Sequence, residues 1–464
     1  MPGLLAKERI IAPPDYHRWL VPPAALAIHL SIGMAYGFSV FWFPLSQALG
    51  TPISKLSIMY SLFFVLLGSS AALFGRWVER EGPRKAGFVA ALCWGGSFFI
   101  SAVGIYTHQI ALLWLGSGVI GGCGLGLGYI SPVSTLIKWF PDRRGMATGM
   151  AIMGFGGGAM IGSPLADILM RHYATPAGPG VWQTFVTLGV IYTIAMLCGA
   201  FGYRLPPPGW QPPGWTPPPP AASKRAMITT RDVHVETAWK TPQFWLLFVV
   251  LCMNVSAGIG VLGMASPMLQ EVFGGRLIGV ASALKDLTTD QRAQVASIGA
   301  GFAALLSLSN IAGRIFWASL SDFVGRKRTY FIFFALGIVF YALAPTAGQL
   351  GSVALFVGIF CLILTMYGGG FATIPAYIAD LFGTRFVGAI HGRMLLAWSL
   401  AGVLGPQLIT RIREYQIARG VPPAQAYNTV MYILAGLLVT GFFANLAVRP
   451  VAERYYLPAD EPIV

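Results

Sequence analysis

Gly75-Arg-Trp-Val-Glu79-Arg80-Glu-Gly82-Pro-Arg84-Lys85 and, 243 positions later, Ala318-Ser-Leu-Ser-Asp322-Phe-Val-Gly325-Arg326-Lys327-Arg328 are two copies of one short basic segment. An acid (Glu79, Asp322), a glycine (Gly82, Gly325) and two cations (Arg84-Lys85, Lys327-Arg328) fall at matching places. The same gap-free shift lays Pro132 on Pro375, Gly145 on Gly388, Gly149 on Gly392 and Gly162 on Gly405. Agreement at so many punctuating residues is a poor candidate for coincidence. Each segment joins two long apolar runs, so the repeated unit is a set of apolar helices.

Composition says what those helices face. Of 464 residues, 55% are hydrophobic and 10% charged, against about 25% charged in a soluble domain. A water-facing surface needs those charges, so the chain faces lipid. Runs long enough to cross a hydrocarbon core occur at 20–49, 55–77, 86–107, 110–139, 144–172, 181–204, 243–273, 293–320, 328–346, 350–382, 385–413 and 424–449. The expected class is all-α integral membrane, with twelve transmembrane helices in two parallel six-helix repeats. Lys7, Glu8, Asp15 and Arg18 precede a first run too long for a signal peptide, so it is expected to be retained. Cys93, Cys123, Cys198, Cys252 and Cys361 all lie in apolar runs and read as small hydrophobes. Neither a metal cluster nor a cofactor motif is present, and no nucleophile–base set marks an enzyme. The net charge of +14 is scattered between apolar runs, which speaks for topology rather than for nucleic acid.

With both termini cytoplasmic, 21 of the 31 Lys and Arg fall on that side and 8 outside, leaving Arg314 and Arg393 within spans. Expected boundaries are a cytoplasmic segment 1–19, a six-helix bundle 20–204, a linker 205–241, a second bundle 243–449 and a tail 450–464. Nine prolines between Pro206 and Pro220 make that linker extended, a stiff spacer or a dock for a proline-reading partner.

The paired loop segments resemble the motif of the major facilitator superfamily, whose design is two parallel six-helix repeats. Glu79 and Ala318 replace the motif's usual Asp and Gly. The resemblance implies gating roles for Glu79, Arg80, Gly82, Asp322, Gly325 and Arg326, as a cytoplasmic latch of the outward-open state. Glycine would make the turn, and the acid would cap a helix or pair with an adjacent Arg.

Further segments are similar to the oxalate/formate antiporter family: Tyr36-Gly-Phe-Ser-Val-Phe, Lys138-Trp-Phe-Pro-Asp-Arg-Arg-Gly145, Thr241-Pro-Gln-Phe-Trp245, Arg314-Ile-Phe-Trp317 with Ser321-Asp322, and Ala397-Trp398-Ser with Gly405-Pro406. Its members move small carboxylates across the cell membrane. The residues themselves point the same way. Arg314 lies eight positions before Asp322, or about 12 Å into the membrane, where a cation is costly and therefore functional by default. No carboxylate lies deep in a span to neutralise it, and Asn310, one turn away, orients without cancelling its charge. An unpaired central guanidinium suits a carboxylate held bidentately. The resemblance also makes Arg314 the substrate-contacting arginine. It adds Tyr36, Tyr129, Tyr367 and Phe371 as cavity residues, aromatics that elsewhere serve as packing.

Trp398 stands where the oxalate exchanger carries a lysine. One cation fewer argues for a monocarboxylate. Arg393 restores that charge, or else caps a gate or pairs with Asp380. His29 is either a proton-coupling group or a packed, hydrogen-bonded histidine, His391 is weaker, and Asp167–Arg171 reads as a local ion pair. Asn310 and Arg314 replace the Asp-to-Arg arrangement of monocarboxylate–proton symporters, which favours exchange or histidine-mediated co-transport. The leading expectation is a monomeric secondary transporter of small organic anions in the lipid bilayer. Its rivals are a proton-coupled exporter of drug-like cations and a non-transporting carboxylate sensor.

Overall fold

The computed structural model describes residues 3–176, 178–214, 227–229, 231–383 and 385–458, without the side chains of 143–145 and 148. Twelve helices in it are long and apolar enough to span a membrane. They are α1 (Arg18–Leu49), α2 (Ile53–Glu81), α3 (Pro83–Tyr106), α4 (Ile110–Trp139), α5 (Gly149–Tyr173) and α6 (Val181–Gly202) in the first half. The second half has α7 (Pro242–Ile278), α8 (Thr289–Val324), α9 (Arg326–Gln349), α10 (Val353–Phe382), α11 (Val387–Ala418) and α12 (Asn428–Ala447). Exposed Ile194, Leu308, Val339 and Phe443 leave the outside of the bundle apolar, as a hydrocarbon solvent requires.

Local chemistry sets the ends. The Thr288 hydroxyl accepts from the Gln291 amide and the Gln291 side chain accepts from the Thr288 amide, a reciprocal cap that starts α8 four residues before the expected 293. Thr241 caps α7, with Pro242 in its first turn. Both basic motif segments, expected as loops, are mostly helical. Helix α2 continues to Glu81 and α8 to Val324, and the reversal is made at Gly82 (φ 93°) and Gly325 (φ 94°). Only glycine adopts that backbone without strain.

The linker's described flanks dock on both halves. Leu205 pairs with Ile11, Trp210 packs on Trp139 with centroids 5.0 Å apart, and the Val233 amide donates to the Phe382 carbonyl at 2.8 Å. Residues 215–226 of the linker, the end of the proline-rich stretch among them, lie outside the described residues.

The halves meet along three lines, α1 on α7, α2 on α11 and α5 on α8. On α2 and α11, the Ser54 amide donates to Glu414 (2.7 Å), Ser57 bonds Thr410 (3.1 Å) and Gln407 donates to Ser57 and Ser61 (3.1 Å each). On α5 and α8, Ser297 donates to Asp167 (2.8 Å) and Ser307 to the Gly156 carbonyl. Among the described residues these hydrogen bonds run from the bundle centre to the face remote from the termini.

Candidate functional site at the bundle centre

Arg314 lies within α8 and is 2% exposed. Its position follows from the approach of α8 to α10: a side chain at Gly313 would overlap the Thr365 carbonyl, and one at Gly368 the Asn310 carbonyl. With only hydrogens there the two backbones nearly touch, which presses Asn310 and Arg314 against Tyr367 and Phe371. The Arg314 Nε donates to Asn310 Oδ1 at 2.8 Å, and the guanidinium carbon lies 5.4 Å from the Phe371 ring centroid. Among the described residues its two terminal nitrogens, near the Tyr36 hydroxyl, make no hydrogen bond of ordinary geometry, nor do Asn310 Nδ2 and Trp398 Nε1. Burial without a partner is costly for such donors, and four of them belong to this one cluster of side chains.

Aromatic rings close the space around the guanidinium. Phe371 contacts Trp398 (centroids 4.5 Å) and Tyr367 (5.3 Å), while Tyr129 faces Trp398 at 5.5 Å. Tyr36 lies in a stretch of α1, Gly33–Phe41, that tightens to a 3-10 helix, a form often found at functional hinges. Its hydroxyl accepts from the Tyr367 hydroxyl at 2.8 Å, one hydrogen bond joining the two halves across the site. The structure thus gathers Tyr36, Tyr129, Asn310, Arg314, Tyr367, Phe371 and Trp398 into one box. Phe155 belongs to the same box, with its ring 4.9 Å from Tyr36, 5.7 Å from Tyr129 and 5.5 Å from Trp398, and Phe64 packs on Trp398 at 5.7 Å. Neither was expected from the sequence. The repeat held the signal for one of them, because Phe155 lies 243 positions before Trp398.

Arg393 is not part of this arrangement. It forms an ion pair with Glu236 and donates to the Val235 carbonyl at 3.0 Å, on the one-turn helix Val235–Ala238 that precedes α7. That hydrogen bond from the guanidinium holds the exposed Glu236 carboxyl below its ordinary pKa. The second central cation expected at this position is therefore corrected: the two turns that separate Arg393 from the helix end carry its side chain toward the linker instead of the core.

The residues expected to gate lie at the terminus-bearing face. Glu79 accepts from Lys138 at 2.5 Å, Arg80 pairs with Glu81 at 3.0 Å in solvent, and Asp322 pairs with Arg326, which also reaches Asp380 at 3.7 Å. These pairs are within single halves. Asp167 and Arg171 form the expected i,i+4 pair at 3.0 Å.

Toward the remote face, the eleventh apolar run is expected to end at Arg413. Helix α11 instead extends past it, and Arg413 is 8% exposed. Its Nε donates to Glu271 Oε2 at 2.7 Å, a second nitrogen reaches Oε1, and the Tyr427 hydroxyl donates to Oε2 at 2.5 Å. A cavity of about 390 Å³ lined by Glu271, Arg276, Gln425 and Asn428 lies beside this pair, apart from the central box.

Comparison with known proteins accords with the fold. The profile of the Major Facilitator Superfamily matches residues 24–406. The oxalate:formate antiporter of Oxalobacter formigenes is 28% identical over 450 residues, 97% of this chain and 96% of its own. The apicoplast pyruvate carrier 1 of Toxoplasma gondii is 25% identical over 407 residues, covering 78% of this chain and 70% of the relative. Among solved structures, a bacterial homologue of the human lysosomal transporter Spinster, inward-facing and unoccupied, superposes with a TM-score of 0.66 at 17% identity, over 94% of this chain and 98% of that one.

Proposed function

The chain belongs to the major facilitator superfamily and is a multi-pass membrane transporter rather than an enzyme, and from that premise we propose that it carries small organic carboxylates, monocarboxylates rather than oxalate, by alternating access. One observation carries the reading: the Arg314 guanidinium presents two unpartnered nitrogens to an aromatic box at the junction of the halves. A carboxylate is the ligand whose two oxygens match that fork. Its charge would cancel a cation that the bundle leaves unneutralised. Asn310 Nδ2 and Trp398 Nε1 are further donors, and the rings would exclude water and limit size. Since Trp398 supplies no charge and Arg393 is held by Glu236, a single cation faces the substrate, which suits a mono-anion. The two named relatives, an oxalate:formate antiporter and a pyruvate carrier, act on ligands of this class.

In this reading both termini are cytoplasmic in the cell membrane, the linker 205–241 tethers the halves on that side, and the hydrogen-bonded seam closes the outer face. Glu79, Arg80, Gly82, Asp322, Gly325 and Arg326 would form the opposite latch once the seam opens; here the pairs Glu79–Lys138 and Asp322–Arg326 stay within their own halves.

A panel of formate, lactate, pyruvate, acetate and oxalate, tested for exchange in proteoliposomes of wild type and Arg314→Gln, tests the proposal. The expected result is saturable flux of monocarboxylates above oxalate, lost in the variant. Normal carboxylate transport by Arg314→Gln overturns the anchor. Specific binding without flux makes the protein a sensor.

A further inference from the structure

His29, on α1 beside the box, has a hydrogen-bonding pattern that packing alone does not explain. Its ring is fully buried, with Nδ1 on the Ala151 carbonyl of α5 and Nε2 3.1 Å from the Tyr129 carbonyl of α4. Both partners are acceptors only. A neutral imidazole brings one N–H and one lone pair, so one of these contacts then sets lone pair against lone pair. The imidazolium donates to both.

The ring is also wired to the site. It stacks on Tyr129 with centroids 5.5 Å apart and meets Phe155 edge-on at 6.3 Å, two walls of the box that holds Arg314. Among the described residues, the charge acting on His29 is that of Arg314 on α8. Tyr129 is the ionisable side chain stacked on it, and α5 contributes Gly154 and Phe155.

We infer that His29 is a proton-binding site coupled to the anion held by Arg314, so that each monocarboxylate crosses with one proton. The inference rests on the function proposed above. In the empty site burial first, and the Arg314 charge after it, oppose a cation at His29. A bound carboxylate cancels that charge, and the two carbonyls are already placed to receive the imidazolium's protons. Anion and proton therefore favour each other's binding, and linkage makes the effect reciprocal. The loaded site then has the same net charge as the empty one, and the halves rock without carrying extra charge through the low-dielectric interior.

The test is the ratio of protons to formate taken up by proteoliposomes with a trapped pH dye, an acid exterior and no internal anion. Wild type is expected to move about one proton per formate, and His29→Gln to lose proton movement from whatever formate flux it retains. An unchanged ratio in the variant, or formate flux without protons in wild type, overturns the inference and leaves the carboxylate reading standing. Absence of saturable flux for every carboxylate in wild type overturns the reading itself. As a measure independent of variant folding, ¹⁵N-histidine spectra of wild type should show one buried ring becoming imidazolium on formate addition. An unchanged spectrum under saturating formate also overturns the inference.

Discussion

Among the described residues the second half buries two arginines, and they differ in their partners. Arg413, toward the remote face, meets Glu271 through two nitrogens and shares that carboxylate with Tyr427. Arg314, at the centre, has one hydrogen bond to a neutral amide and, among the described residues, two nitrogens without partners. A bidentate pair with a third donor is what a structural ion pair in a dry interior requires. An unneutralised guanidinium amid aromatic rings is a poor way to hold helices together. The lesson is that burial of an arginine says little until its partners are counted.

The same contrast separates the halves. The box contains a wall pair 243 positions apart, Phe155 and Trp398, one from each half. Arg314 and Asn310 have Ala71 and Leu67 as counterparts by that shift, both buried and uncharged. The two halves supply similar walls, and only the second supplies charge.

Substitutions can break this contrast. The largest effect is expected from Arg314→Gln, which removes charge-assisted bonds of about 1.5–3 kcal/mol each and should lower kcat/KM for formate by about 100-fold or more. Arg314→Lys, which keeps charge but loses the fork, should recover part of it. Thermal unfolding of these variants in detergent should match wild type. Glu271→Gln should do the reverse. It leaves Arg413 buried without its counter-charge, at a cost of about 3–5 kcal/mol of stability, and the fraction that stays folded should show wild-type KM. If Glu271→Gln abolishes transport at unchanged stability, the division of labour between the two arginines fails.

Smaller effects sharpen the picture. Phe155→Leu stays apolar but loses ring contacts worth about 0.5–1.5 kcal/mol each, so KM for formate should rise several-fold, and comparably for Trp398→Phe if the walls are equivalent. Arg393→Gln should be the smallest: uptake at neutral pH is expected to be unchanged. The Arg393 hydrogen bond holds the Glu236 carboxyl below its ordinary value, so whatever that pair contributes is present above the ordinary carboxylate range. It is lost as pH falls through the lowered value. Any difference between Arg393→Gln and wild type should therefore disappear in acid; a difference that grows in acid excludes this pair as its origin.

Much of this was legible in the chain. The repeated Glu79/Asp322 segments and the apolar runs yield twelve helices, because lipid leaves helical backbone few alternatives. Arg314 was legible because an arginine deep in a span needs a reason. Pairings between distant helices were not. Arg413 and Glu271 lie 142 residues apart, and nothing local to either announces the other. Arg393 misled because distance from a helix end sets depth but not direction, and its direction is toward Glu236. Phe155 was hidden in the glycine run around it, where a lone ring reads as packing until the repeat is applied to Trp398.

The seam on the remote face has a consequence for how the protein responds to its medium. Away from the carboxylates at its rim, its hydrogen bonds are made by neutral groups, among them Ser57, Ser61, Thr410, Gln407 and Ser307 and the Trp42 indole on the Gly263 carbonyl. Dipoles are screened far less by dissolved salt than exposed ion pairs are. Opening of that face should accordingly proceed at nearly the same rate in dilute and concentrated buffer. The opposite face, whose charged pairs at Glu79 and Asp322 stand partly in solvent, is where ionic strength would take hold.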